Sequence, residues 1–171
     1  MKKRTKPSTC VLIENRQRRF KLNAARCAAV AECFIRLSKR VRPAGMAPWE
    51  SVTLLFVADR GSAEAHRAVF DDPAPTDVIT LSYEPEPGVT DGLSGELIVN
   101  VERAFQEGSR RASRRPGRWS PDHELALYLA HGVDHLTGAD DHEDADFRRM
   151  RSRELRWVAS AARSIGLSLF R

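Results

Sequence analysis

Cysteine is scarce in this chain: Cys10, Cys27 and Cys33 are the only three in 171 residues, and no two are spaced C-x-x-C. An odd, widely spaced set excludes a disulfide framework and a thiolate zinc knuckle. The expectation is three reduced, buried thiols in a reducing compartment, the cytoplasm, with Cys33 on the apolar face of a helix. Long hydrophobic runs are missing too. Met1-Lys2-Lys3-Arg4 has the charge of a signal-peptide start, but Val11-Leu12-Ile13 breaks off at Glu14, and no segment is long enough to span a bilayer. Repeats, low-complexity tracts and linkers are absent, so one domain over 1–171 is expected, long enough to bury a real core without staples. Acidic charge falls short of basic, 23 residues against 28, for a net charge of +5. This favours a polyanionic partner over an acidic protein or a neutral substrate, although basic runs such as Arg16 to Lys21 and Arg110 to Arg118 are common in solvated loops.

Periodicity supplies the elements. Residues 10–13 read as a first strand. Leu22 to Val41 reads as a helix, because Val30, Cys33, Phe34, Leu37 and Val41 recur at three-to-four spacing. Val52 to Ala58 is strand-like and is followed by a helix from about Ser62 to Phe70. Pro73 and Pro75 hold the next segment extended into a β-branched strand, Thr76 to Tyr83. Ser94 to Val101 alternates as a strand and is expected to pair with its predecessor as a hairpin neighbour. Helices are then expected from about Glu102 to Arg111, from Ser120 onward, and from about Asp144 to Ile165, where Phe147, Met150, Leu155 and Val158 give the apolar face. The order β-α-β-α-β-β-α-α-α implies an α+β fold, one mixed sheet of about four strands packed with about five helices.

Chemistry concentrates in one place. Four of the five histidines lie between His123 and His142. His131 and His135, four apart, share a helix face, which suits two imidazole nitrogens binding one ion. Ser120 is placed to cap this helix and Pro121 to begin it, with Asp122 and Glu124 where the helix dipole favours negative charge. Gly138 should take the left-handed conformation that turns the chain back, bringing Asp140, Asp141 and His142 towards the same ion. Three protein ligands leave a fourth position for water or a phosphate oxygen, as in catalytic rather than structural zinc sites.

These residues resemble the YbeY family of bacterial ribosomal-RNA maturation endoribonucleases. Its motif His-Gly-x-x-His-Leu-x-Gly-x-Asp-His is matched by His131-Gly132, His135-Leu136, Gly138 and Asp140. Pro75-Thr76-Asp77-Val78-Ile79-Thr80-Leu81 and Gly95-Glu96-Leu97-Ile98-Val99 are similar to two of its strands, and Glu124 to its acidic residue at the start of the metal helix. The resemblance implies a metal-dependent, cytoplasmic nuclease selective for single-stranded RNA, with a metzincin-like metal helix and one zinc ion. It would act in 3′-end maturation of small-subunit (16S) ribosomal RNA and in ribosome quality control. His131 and His135 would be both ligands and catalytic residues.

The departures are specific. The family's third ligand falls six residues after the second histidine, where this chain has Asp141, with His142 one further on; Asp141 is preferred, since Met150 and Glu154 keep it in register, and His142 is the alternative. Where the family usually has Asn and, four residues later, Arg, this chain has His66 and Phe70. Arg67 or Arg60 would have to replace that cation, and Arg114, Arg115 and Arg118 are further candidate RNA contacts. Asp134 replaces a usual leucine and is expected to face solvent or to orient a ligand histidine.

Two other classes compete with the nuclease. A zinc peptidase of metzincin type needs a Glu directly after the first histidine as general base, and Gly132 can transfer no proton. A non-catalytic, metal-stabilised ribosome-binding factor would be consistent with the missing cation at position 70.

Overall fold

A computed structural model describes residues 9–85, 88, 92–114 and 116–171. The elements are β1 (Cys10–Asn15), α1 (Ala24–Ser38), β2 (Trp49–Val57), α2 (Asp59–Phe70), β3 (Val78–Tyr83), β4 (Leu93–Asn100), α3 (Val101–Arg114), α4 (Pro121–Leu136) and α5 (Asp144–Ser164). The expected order is therefore the observed one. One four-stranded mixed sheet runs β1-β2-β4-β3. β1, β2 and β4 are parallel, and β3 closes the edge antiparallel to β4, as the hairpin expectation required.

Strand alternation divides the sheet into two faces. Val52, Leu54 and Phe56 of β2 and Leu97 and Val99 of β4 join the main core with α1, α4 and α5. Leu55, Val57, Ile79 and Ile98 point the other way and form a smaller cluster with Ala65 of α2. α4 lies across the sheet with Leu125, Leu129 and Val133 buried. Its contact with the strands is close at Gly132, where an added Cβ would stand 2.9 Å from Leu97 Cδ2 and 3.2 Å from Val78 Cγ2. Gly132→Ala is therefore expected to destabilise the fold by about 1–3 kcal/mol through overpacking, read as a lower denaturant midpoint at unchanged slope.

Several boundaries and faces differ from expectation. α1 starts later because Asn23 caps it, its side chain accepting from the Arg26 N–H, while Leu22 is held in a bridge to Phe170. α3 continues to Arg114, so much of the basic run is helical. Asp122 does more than complement the dipole of α4: its Oδ1 accepts from the Leu169 and Phe170 N–H groups at 2.7 and 2.9 Å and fastens the end of the chain to the start of that helix. On α5, Met150 and Val158 are buried as expected, but Phe147 and Leu155 are exposed, since the buried face passes instead through Glu154, Trp157 and Ala161. Cys27 and Cys33 are buried, and burial pushes the Cys27 thiol up to about 12; Cys10, on the edge strand, is exposed, contrary to expectation. No helix among the described residues is long and apolar enough to cross a membrane.

Candidate metal centre

α4 begins as its sequence dictates. Ser120 is extended, its hydroxyl accepts from the His123 N–H, and Pro121 opens the first turn. The two histidines of the motif come near the far end of the helix, where Thr137 closes it and Gly138, at φ 81°, reverses the chain. That reversal brings Asp141 back over the last turn. One donor atom from each of His131, His135 and Asp141 lies within 4.8 Å of the others.

The ring orientations are fixed from behind. His131 Nδ1 is 2.7 Å from Oε1 of Glu154, a carboxylate only 1% exposed, and His135 Nδ1 is 2.9 Å from the Ala139 carbonyl oxygen. A carbonyl can only accept, so His135 Nδ1 carries the hydrogen; Glu154 sets the same tautomer on His131. Both Nε2 lone pairs then face one point, 3.1 Å apart, and Asp141 oxygens stand 3.7 Å from His131 Nε2 and 3.9 Å from His135 Nε2. Two nitrogens that close are held together by a shared proton or by a cation between them. Bonds of about 2.0–2.2 Å set tetrahedral edges of about 3.3–3.6 Å, close to the donor separations found, so this trio fits a divalent ion.

Electrostatics agree with a cation site. Burial works against charge on His131, yet the Glu154 hydrogen bond and charge, with Asp77 and Asp141, outweigh it and raise the imidazole pKa. Arg151 balances the far oxygen of Glu154 at 3.4 Å. Removing the Glu154 carboxylate as Glu154→Gln is expected to lower metal affinity by about 10–100-fold, measured by competition with a chromophoric chelator.

His142 falls in a different group, with Asp140 and Asp141; its side chain is 88% exposed and its Nε2 is 3.5 Å from Asp140 Oδ1. A groove of about 380 Å³ opens beside His135 and Asp141, lined also by His142, Thr76, Thr80, Ser82, His66 and Phe70. His66 Nδ1 is 2.8 Å from the Ala74 carbonyl and its ring packs against Phe70, so both residues that depart from the family pattern border the groove. Thr76, one of its lining residues, is held by Asn100, which is fully buried and donates to Asp59 Oδ1 and the Thr76 carbonyl at 2.7 and 3.0 Å.

The arginines expected to contact RNA are dispersed. Arg67 is exposed on α2 and does not line the groove, because its neighbour His66 takes the facing position. Arg60 is paired with Glu64. Arg114 and Arg118 line a separate cavity, and Arg115 lies outside the described residues. Asp134 neither faces solvent nor orients a histidine: it is fully buried and holds Arg153, with Nη2 at 2.8 Å. Sequence reasoning also missed the function of Glu154, which served only to fix the register. Its one local signal was its position a turn beyond Met150 on the buried side of α5.

A family model described as Endoribonuclease YbeY matches residues 12–162. The chain belongs to the YbeY family. Among YbeY relatives, the endoribonuclease of Chlamydia trachomatis serovar D is 28% identical over 149 residues, covering 84% of this chain and 83% of that protein. The endoribonuclease YbeY of Micrococcus luteus is 31% identical over 144 residues, covering 81% and 88%. A solution structure from Thermotoga maritima aligns with a TM-score of 0.53 at 19% identity, over 90% of this chain and 92% of that one, a likeness of fold. Membership in YbeY, a family of endoribonucleases, places the trio on a nuclease scaffold. Gly132 agrees: the close approach of Leu97 and Val78 leaves no room for the Glu that a zincin peptidase carries there.

Proposed function

We propose that this protein is a metal-dependent endoribonuclease that cuts single-stranded RNA, with His131, His135 and Asp141 holding one zinc ion and the whole chain forming one nuclease domain. The observation that carries this reading is the convergence of two tautomer-fixed Nε2 atoms and one carboxylate beside an open groove. Such a donor set suits zinc, and manganese, nickel or cobalt would also be accepted. When bound, the ion polarises a phosphoryl oxygen and stabilises the negative charge that builds during phosphodiester cleavage. The chain does the rest. Glu154 and the Ala139 carbonyl hold the imidazoles in register, Asp141 adds negative charge, and Thr76, Thr80 and Ser82 line the groove that would take the RNA backbone.

Family membership supports a substrate in ribosomal RNA: 3′-end maturation of the small-subunit 16S RNA in the cytoplasm, and ribosome quality control. Depleting the protein in its host is expected to lengthen the 3′ end of that RNA, mapped by 3′-end sequencing; wild-type 3′ ends after complete depletion would reject this role. Metal content separates the ligand choices. Asp141→Ala is expected to lose the bound ion and His142→Ala to keep it, measured by elemental analysis of the purified proteins.

One observation favours a second reading, a metal-stabilised RNA-binding factor of the ribosome without catalysis. Phe70 stands 59% exposed at the groove where the family's cation is usual. Metal-replete protein that binds the small subunit but leaves single-stranded RNA intact would support it.

A further inference from the structure

A second cavity lies near the other end of α4. It has a volume of about 430 Å³ and is lined by Arg111, Arg114, Arg118, Arg151, Trp119 and apolar residues including Leu155. Among the described residues no acidic side chain lines it. The buried Glu124 accepts from Trp119 Nε1–H at 2.6 Å and pairs with Arg111 at 3.0 Å. That carboxylate fixes the edge of the indole and one guanidinium together, with the Arg111 guanidinium carbon 6.0 Å from the ring centroid. Arg114 and Arg118 carry no acidic partner among the described residues, and both are exposed. The cavity thus offers a held aromatic plane, an apolar wall and uncommitted cations.

Its position relates it to the metal centre. Glu124, Leu127, His131 and His135 follow three-to-four spacing along one face of α4, and the seven residues from Glu124 to His131 rise by about 10 Å. Arg151 belongs to both places: it lines the cavity and contacts Glu154, which holds His131. A short run of single-stranded RNA could reach from one to the other.

We propose that this cavity is a subsite for a nucleotide of the single-stranded RNA substrate, its base against Trp119 and its flanking phosphates on Arg114 and Arg118. The proposal rests on the nuclease reading for the identity of the RNA. Stacking on an aromatic ring combined with guanidinium contacts to the backbone is the general way proteins hold single strands without reading sequence. The aromatic plane favours RNA over an acidic peptide, which would use the cations alone. It also distinguishes the cavity from the outer arginines of α5, Arg148, Arg149, Arg153 and Arg156, which line a shallow depression with no aromatic residue.

The test is equilibrium binding of a short, fluorescein-labelled, 2′-O-methyl single-stranded oligonucleotide that cannot be cut through its 2′-oxygens, across a salt series. Arg114→Glu/Arg118→Glu is expected to weaken binding on the order of tenfold or more and to flatten the plot of log affinity against log salt by about 0.7 per lost phosphate contact. Arg149→Glu/Arg156→Glu, with the same change in net charge, is expected to weaken it far less. The milder Arg114→Gln/Arg118→Gln pair should shift binding in the same direction at wild-type melting temperature, which guards against a folding artefact. Equal losses for the two Glu pairs would overturn the subsite in favour of diffuse charge attraction, and a polyglutamate peptide competing as well as RNA would overturn it in favour of a protein partner. The nuclease reading fails separately: wild-type protein that never cuts unmodified RNA rejects that reading, while a specific loss in the Arg114/Arg118 pair still supports a nucleotide subsite.

Discussion

His131→Ala and His135→Ala are each expected to abolish metal binding and to reduce cleavage of single-stranded RNA on the order of a thousandfold or more, with secondary structure retained. The magnitude follows from the several kcal/mol of charge stabilisation that a bound ion provides, at about tenfold in rate for each 1.36 kcal/mol. Retention of the fold follows from position: both rings sit at the open end of α4, 16% and 27% exposed, and neither belongs to the apolar core. The two variants should differ in what they leave behind. Loss of the His131 ring strands the buried Glu154 carboxylate beside Arg151, whereas loss of the His135 ring frees only the Ala139 carbonyl. His131→Ala is therefore expected to be the less stable of the two. Cleavage by either variant at the wild-type rate, measured under single-turnover conditions, would reject the catalytic assignment.

Arg153→Met is expected to destabilise the protein by about 3–5 kcal/mol, because it leaves Asp134 as an uncompensated charge in the interior. Asp134 is fully buried and its carboxylate meets Arg153 through Nε at 3.0 and 2.9 Å and through Nη2 at 2.8 Å. For a chain of this size the loss corresponds to a fall in Tm of about 6–20 °C. Asp134→Leu/Arg153→Met, which removes both charges and restores the family's usual leucine, should recover most of it, since a buried ion pair replaced by apolar groups of similar volume is often neutral. The pH dependence has a definite sign. Burial raises the Asp134 carboxyl pKa, with Arg153 opposing the rise, and removing Arg153 raises it further. A carboxyl that binds its proton more readily in the folded state loses stability as pH rises through that range. The deficit of Arg153→Met is therefore smaller at acid pH than at neutral pH, checked by denaturant unfolding at both; a deficit independent of pH would show that the lost packing of the arginine stem, not the stranded charge, sets the cost.

These two predictions mark where sequence reading succeeds and where it stops. The spacing of His131 and His135 and the conformation of Gly138 depend on one helix and its end, so local periodicity and backbone sterics suffice to place them. The strand and helix order is legible for the same reason. What is not legible depends on which helices meet. Glu154 behind His131 and Arg153 behind Asp134 are 23 and 19 residues away in the chain, and they come together only when α5 packs on α4. Asp134 next to a metal motif reads as solvent-facing or as a histidine partner until that packing is known. Phe147 and Leu155 fit an apolar stripe on paper, yet α5 turns Glu154 and Trp157 inward instead. The basic run likewise reads as a loop, whereas α3 carries it to Arg114 and sets it opposite Arg151.

In the proposed mechanism an ion held by His131, His135 and Asp141 drives RNA cleavage. It is tested most directly by following cleavage of a single-stranded RNA as zinc is returned to chelator-stripped protein. The stripped protein is expected to show no cleavage and to recover fully at one equivalent of zinc. Undiminished cleavage by protein verified to be metal-free would contradict it.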